Sequence, residues 1–409
     1  MAIISAFRAL RPSNELASRV ASLPYDVLNS VEARVLAENN PYSFLHITKA
    51  EIDLPEGTDV HSDRVYHKAA DNLFIFQDNK ILIQDEKPAY YIYELTMAGR
   101  KQTGLVCVSS VADYENNIIK KHELTRPEKE LDRINHMRIT GAQTGNVFLA
   151  YKSNVTLSDL ISSWKEANEP VNDFVAEDGV GHRVWIIHEP QEIHEITKIF
   201  EKQIPFTYIA DGHHRAASAA KVKNALGKDA SPESGYFLTT LFPHDELRIM
   251  DYNRVVKDLN GSDARTFIEK LSKNFIVEKI NEAYTPELLH HFGMYLEGNW
   301  YHLEARKDSF PKDPIGILDV SILQENILSP LLGIQDPRTD DRIDFVGGIR
   351  GLKELEKRVN SKQMKLAFSL YPVSMEQLFN IADSGQIMPP KSTWFEPKLR
   401  DGLLTHLIR

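Results

Sequence analysis

Cysteine is almost missing from this 409-residue sequence, which holds only Cys107. One thiol excludes a disulfide within the chain, and the setting Leu105-Val106-Cys107-Val108 reads as a buried, inert group. Long apolar runs are missing too. None approaches the roughly 18 residues of a membrane span. The opening Met1-Ala2-Ile3-Ile4-Ser5-Ala6-Phe7-Arg8 meets a charge too early for a signal peptide. The expectation is a cytoplasmic protein with no membrane partner. A surplus of positive charge is also absent: the formal net charge of −10 speaks against a nucleic-acid partner, which needs a basic stripe. Small anionic ligands stay open, because local basic clusters coexist with an acidic surface.

Familiar nucleotide and metal signatures are lacking as well. No Gly-x-x-x-x-Gly-Lys-Ser/Thr occurs, and Gly347-Gly348-Ile349-Arg350-Gly351 does not have the dinucleotide spacing. No Cys/His spacing suits structural zinc, and no Gly-x-Ser-x-Gly elbow is present. A P-loop enzyme, a Rossmann dehydrogenase and a zinc protein are therefore poorly supported.

What is present reads as a soluble globular chain of 42% hydrophobic and 26% charged residues. Its length exceeds one ordinary core, so two domains are expected, with Asn260-Gly261-Ser262 as the boundary. The pattern is α/β (α+β). Strands are expected at Ser5–Leu10, Ser43–Ile47, Asn146–Tyr151 and Tyr236–Phe242, and hairpins at 89–111 and 174–187. The first hairpin turns around Ala98-Gly99-Arg100. Ser30 caps one helix, and another follows Ser62 with Val65, Ala69, Leu73 and Phe74 on one face. Thr125 and Glu128 form a capping-box pattern for a helix to about Ile139. Leu157–Ala167 and Ile193–Lys202 complete the helices before the boundary. Beyond it come helix Ala264–Lys273, strand Ile276–Ile280, helix Pro286–His291, hairpin Met294–Glu304, strand Lys365–Leu370 and helix Met375–Ala382. Residues 388–409 form a Pro-pinned segment expected to fold back toward the first domain.

Three polar clusters carry the candidate chemistry. The first follows the β-type run Phe206-Thr207-Tyr208-Ile209-Ala210, where Asp211-Gly212-His213-His214-Arg215 turns into an Ala-rich helix. The first N–H groups of a helix lack internal partners and its dipole is positive there, so anions collect at such ends. His213, His214 and Arg215 add donors, which makes a phosphate-binding turn. In the plainer alternative Asp211 is the N-cap and the other three side chains are solvated. The second cluster is Lys120-Lys121-His122-Glu123 with Thr125 and Arg126. A carboxylate among cations stays ionised and can take a proton from a hydroxyl held in line with a phosphate; the alternative is a solvated basic strand end. The third is Lys391-Ser392-Thr393 with Lys398, on a loop stiffened by Pro389, Pro390 and Pro397. Asn253-Arg254 and Asp344 are weaker polar candidates beside strand ends.

Arg11-Pro12, Pro24-Tyr25-Asp26-Val27, Lys121-His122-Glu123-Leu124-Thr125, Asp211 to Arg215 and Met388-Pro389-Pro390-Lys391-Ser392-Thr393 together resemble a bacterial and archaeal family, domain of unknown function 1015. The Asp-Gly-His-His-Arg turn also resembles that of the ParB/sulfiredoxin-like superfamily, notably of archaeal kinases acting on free L-serine. The resemblance implies a ParB/sulfiredoxin-like catalytic core within 1–260, elaborated with extra hairpins, and a smaller α+β domain over 261–387. It implies a kinase that converts L-serine to O-phosphoserine with ATP, ADP or pyrophosphate as donor. Glu123 would be the base, and Asp211 and His214 would join it in catalysis. Phosphate would meet His213, His214, Arg215, Lys121, His122, Arg126, Lys391, Ser392 and Thr393, with Mg²⁺ at Asp211. The competing implications are a nucleotide-binding regulator of the ParB kind and a phosphate-ester or anhydride hydrolase. A homo-oligomer is compatible with each.

Overall fold

The computed structural model describes residues 1–409, the side chain of Asp229 excepted. Its mixed α/β chain divides into two units, Met1–Leu247 with Pro397–Arg409, and Arg248–Glu396. The division falls before Asn260-Gly261-Ser262 because the strand Tyr252–Val256 already belongs to the sheet of the second unit.

In the first unit nine strands form one sheet: β1 (Ile4–Ser5), β2 (Tyr90–Met97), β3 (Arg100–Ser110), β4 (Ile119–Lys120), β5 (Val147–Tyr151), β6 (Asn172–Val175), β7 (Gly181–Ile187), β8 (Thr207–Asp211) and β9 (Tyr236–Pro243). Their order is β4-β8-β5-β9-β3-β2-β7-β6, with β1 beside β3. Two pairs are parallel, β4 with β8 and β5 with β9; the remaining pairs are antiparallel. Central strands such as Tyr90-Tyr91-Ile92-Tyr93 are buried on both faces, so they read as continuous β-branched and aromatic runs. Helices α1 (Asp63–Asp78), α2 (Pro127–Thr140), α3 (Val155–Ala167), α4 (Pro190–Gln203) and α5 (His213–Leu226) accompany this sheet. Leu157 and Ile161 of α3, Ile196 and Phe200 of α4 and Ala216, Ala219 and Ala220 of α5 join Ile92, Leu105, Leu149, Ile209 and Leu241 in one core. Burial of each large apolar side chain contributes roughly 1.5–3 kcal/mol.

Several local expectations need correction. Ser43–Ile47 is no strand: Leu45–Thr48 is a helical turn, which sends Leu45 and Ile47 into different apolar clusters. On α1 the buried stripe runs Val65, Ala69, Leu73 and Phe76, while Phe74 lies off it and is exposed. The helix Ser30–Ala37 is capped by Asn29, in a capping box with Glu32, not by Ser30. Arg126 rather than Thr125 precedes α2, with Pro127 at its first position and no side-chain cap.

The second unit is an antiparallel six-stranded sheet flanked by helices. Its strands are β10 (Tyr252–Val256), β11 (Phe275–Ile280), β12 (His291–Leu296), β13 (Asn299–Ala305), β14 (Ile343–Gly347) and β15 (Leu366–Leu370), in the order β11-β13-β12-β15-β10-β14. Leu355 and Val359 of the helix Gly351–Asn360 pack on Val255, Tyr295, Trp300 and Ala367. Pro286–His291 is not helical; Leu288 and Leu289 are exposed, so no buried face supports a helix there, and His291 opens β12.

Candidate functional site

The topology explains how two clusters distant in sequence meet. β4 and β8 are parallel neighbours, Thr207 opposite Ile119 and Tyr208 opposite Lys120, so both chains leave the sheet at the same end. Side chains gathered beyond the C-terminal ends of parallel strands are the common location of α/β binding sites. A register shift between Ile209 and Asp211 against β5 re-aims Asp211 at the strand end. Gly212 follows at φ +97, a left-handed conformation that a side chain adopts only at a cost, and α5 begins at His213. Gly212, not Asp211, is the N-cap residue.

Backbone contacts then lock the Lys121–Arg126 segment onto the first turn of α5. The His122 N–H donates to Nε2 of His213 at 3.4 Å, and the Arg126 N–H donates to Nε2 of His214 at 3.0 Å. An Nε2 that accepts carries no proton, so the neutral ring of His213 holds its hydrogen on Nδ1. That atom lies 3.5 Å from Oε2 of Glu123. Burial, reinforced by the nearby His122, keeps the pKa of buried His213 well below its ordinary value. Burial likewise lowers that of His214 against the pull of Glu130. His122 packs edge-on to His213, ring centroids 4.6 Å apart, and burial pushes its pKa down to about 4. Its two ring nitrogens are buried and have no hydrogen-bond partner among the described residues.

Charge is concentrated around Arg215. This buried guanidinium donates to the carbonyl of Asn146, lies 3.0 Å from Oδ2 of Asp26 and 3.6 Å from Oδ2 of Asp211. Nζ of Lys398 stands 3.4 Å from the same Asp211 oxygen. Burial acts to raise the Asp211 pKa, but Lys398 and Arg215 outweigh it and hold the carboxyl far below the usual range. Behind them, burial pushes the Asp401 carboxyl up to about 7 and the Tyr25 phenol up to about 12. The Arg133 guanidinium sits 3.8 Å from the Tyr25 ring centroid.

The expected residues therefore divide. Glu123, His122, Arg126, Asp211, His213, His214 and Arg215 come together at one helix N-terminus. Lys121 is turned aside: its ammonium donates to the Tyr114 carbonyl at 3.0 Å and lies 4.1 Å from that ring. Lys391, Ser392 and Thr393 belong to the second unit, where buried Ser392 donates to the Pro389 carbonyl. There too Arg254 donates to the carbonyls of Tyr252 and Lys391, and Asp344 pairs with Arg358. Four further groups escape sequence reasoning as site members: Tyr25, Asp26, Glu130 and Asp401. Pro24-Tyr25-Asp26-Val27 is visible as a family mark but gives no sign of its partner Arg215. Glu130 lies in the expected helix and pairs with Lys221; Asp401 carries no local signal.

Among the described residues no group of three His, Cys, Asp or Glu side chains is arranged to hold a metal ion. No helix is long and apolar enough to cross a membrane.

Comparison with known proteins gives distant likenesses and one family. No curated protein matches the sequence. Among solved structures, a free serine kinase in complex with AMP is 12% identical with a TM-score of 0.37, over 74% of this chain and 91% of its own. A conserved hypothetical protein from Pyrococcus furiosus is 14% identical with a TM-score of 0.35, over 73% of this chain and 93% of its own. SbnI with C-terminal truncation from Staphylococcus aureus is 10% identical with a TM-score of 0.38, over 72% and 85%. Such scores mark remote similarity. The family described as "Protein of unknown function (DUF1015)" matches residues 4–321, and the chain belongs to it.

Proposed function

We propose that this site transfers a phosphoryl group to the hydroxyl of a small hydroxy amino acid, L-serine, giving O-phosphoserine, with ATP, ADP or pyrophosphate as donor. One observation carries the reading: the Glu123 carboxylate lies beside a neutral histidine at the N-terminus of α5, where cations flank Asp211. Phosphoryl transfer asks the protein for little covalent chemistry and much positioning and charge neutralisation. The free N–H groups of the first turn of α5 supply donors for phosphate oxygens. L-Serine and the ParB/sulfiredoxin-like core come from the sequence resemblance of the Asp211–Arg215 turn.

In the proposed step the serine Oγ attacks the terminal phosphorus of the donor. The Oγ–P bond forms as the anhydride P–O bond breaks, and the hydroxyl proton passes to Glu123. The leaving group departs as ADP, AMP or orthophosphate, according to the donor. Nδ1–H of His213 faces Glu123 and orients its carboxylate toward the acceptor. Arg215 works differently from a mobile phosphate clamp: buried and tied to Asn146, Asp26 and Asp211, it positions the two carboxylates. Mg²⁺ suits this donor set, since the ion binds through one or two carboxylates plus substrate phosphates and needs no protein cage. Asp211, with Asp26 beside it on Arg215, would hold the ion, which neutralises phosphate charge when bound.

Glu123→Gln tests the assignment. It is expected to lower phosphoserine formation at least about a hundredfold while donor affinity by calorimetry stays within about twofold of the parent. Equal loss of both would remove Glu123 from the role of base.

A further inference from the structure

We propose that the C-terminal segment is a working part of this centre and that Lys398 is the cation that receives the donor phosphate. The inference rests on the phosphate-donor reading above. Pro397–Arg409 follows the whole second unit in sequence yet is sutured into the first along its length. Ser22 and Asp401 exchange backbone hydrogen bonds at 3.1 and 3.0 Å, as do Leu10 and Thr405 at 2.9 Å each way. His406–Leu407 pairs with Ala142–Gln143, and the Ile408 N–H donates to the Gly141 carbonyl. Arg400 is buried against His182 and Asp178. Lys398 is thus held at a fixed place beside Asp211, its side chain 15% exposed.

Two cations flank Asp211, and they are built for different work. Arg215 is 6% exposed at its side chain and spends its donors on Asn146, Asp26 and Asp211. Moving it would strand two carboxylates. Lys398 is a single charge on a flexible stem, 3.4 Å from Asp211 Oδ2. A phosphate oxygen at the α5 N-terminus offers the ammonium a more highly charged partner within a short side-chain rotation. Lys398 then exchanges Asp211 for phosphate, while Arg215 stays beside Asp211.

Calorimetric titration of the full chain with inorganic pyrophosphate, ADP and ATP, in EDTA and then in Mg²⁺, tests the assignment. Lys398→Ala is expected to weaken the donor that binds the parent by about tenfold or more in EDTA. Lys398→Arg should recover part of the loss, and unfolding midpoints should stay close to the parent. Lys398→Gln keeps the first part of the stem and an uncharged N–H donor, so it should fold even where the alanine variant does not and still lose affinity. Parental affinity in both Lys398→Ala and Lys398→Gln would overturn the role of Lys398, while phosphoserine formation by them would leave the proposed function standing. Donor binding that depends on Lys398 without any phosphoserine would have the opposite meaning. A parent chain that binds none of the three donors would contradict both.

Discussion

His213 shows how much one side chain can decide. Its Nε2 takes a backbone N–H from His122, and that single bond places the remaining proton on the atom facing Glu123. Gly212 sets the geometry just before it: a Cβ there would lie 3.4 Å from the Arg215 guanidinium and from Val147 Cα, at φ +97. Gly212→Ala should therefore cost about 1–2 kcal/mol from the backbone alone, read as a lowered unfolding midpoint. Arg215→Ala should destabilise by about 1.5–3 kcal/mol, because it removes the buried charged donor of the part-exposed carboxylates of Asp26 and Asp211; a stability loss under about 1 kcal/mol would contradict the anchoring role. At this scale the sequence discloses the Asp211–Arg215 turn and the His122-Glu123 pair, since each is a compact run of polar residues beside an expected strand. Asp26 and Asp401 stay hidden. Asp26 pairs with Arg215 from 189 residues away and Asp401 is buried within reach of the same charge, and no local spacing encodes either relation.

The elements themselves were largely legible where period and turn chemistry agree. β2 and β3 turn through Ala98 at φ +50 and Gly99 at φ +78, two left-handed residues that match the twist of a two-residue hairpin. Alanine is poorly suited to that first position. Ala98→Asn should raise stability by roughly 0.5–1 kcal/mol, measured by chemical denaturation, while Ala98→Val should lower it. Gly104 on β3 has the reverse constraint, because a Cβ would fall 2.7 Å from the Phe242 ring and the Thr240 methyl. Less legible were Leu45–Thr48 and 286–291. Tertiary packing selects the helical turn Leu45–Thr48, whereas at 286–291 exposed Leu288 and Leu289 leave a helix without a buried face. The bulge that aims Asp211 was invisible as well, since it exists only relative to β5.

For the chain as a whole, the order of assembly is unusual: residues 248–396 intervene between β9 and the segment that delivers Lys398 and Asp401 to the first unit. The segment after this insertion brings Lys398 to within 3.4 Å of Asp211. Titration gives a second expectation for the first unit. Burial lowers His122 and His136 to about 4 and His182 to about 3, and it holds His213 well below its ordinary value. Unfolded histidines bind protons from about pH 6.5 downward, and these folded ones do not, so stability is lost as pH falls from about 6.5 toward 4. Asp401, raised to about 7, works in the opposite sense, as do Asp113 and Glu246, raised by burial, and His46, raised by its hydrogen bond to Asp53; the buried histidines, with His214 also lowered, outnumber them. Thermal midpoints should fall between pH 7 and 5; a rise over that range would refute the neutral-histidine account. The most direct trial of the central claim is ³¹P NMR of the purified chain with Mg²⁺ and L-serine, offered ATP, ADP and pyrophosphate in separate samples. The account predicts an O-phosphoserine resonance growing with loss of one donor. A donor consumed only to orthophosphate or nucleotide, or no donor consumed in any sample, would contradict it.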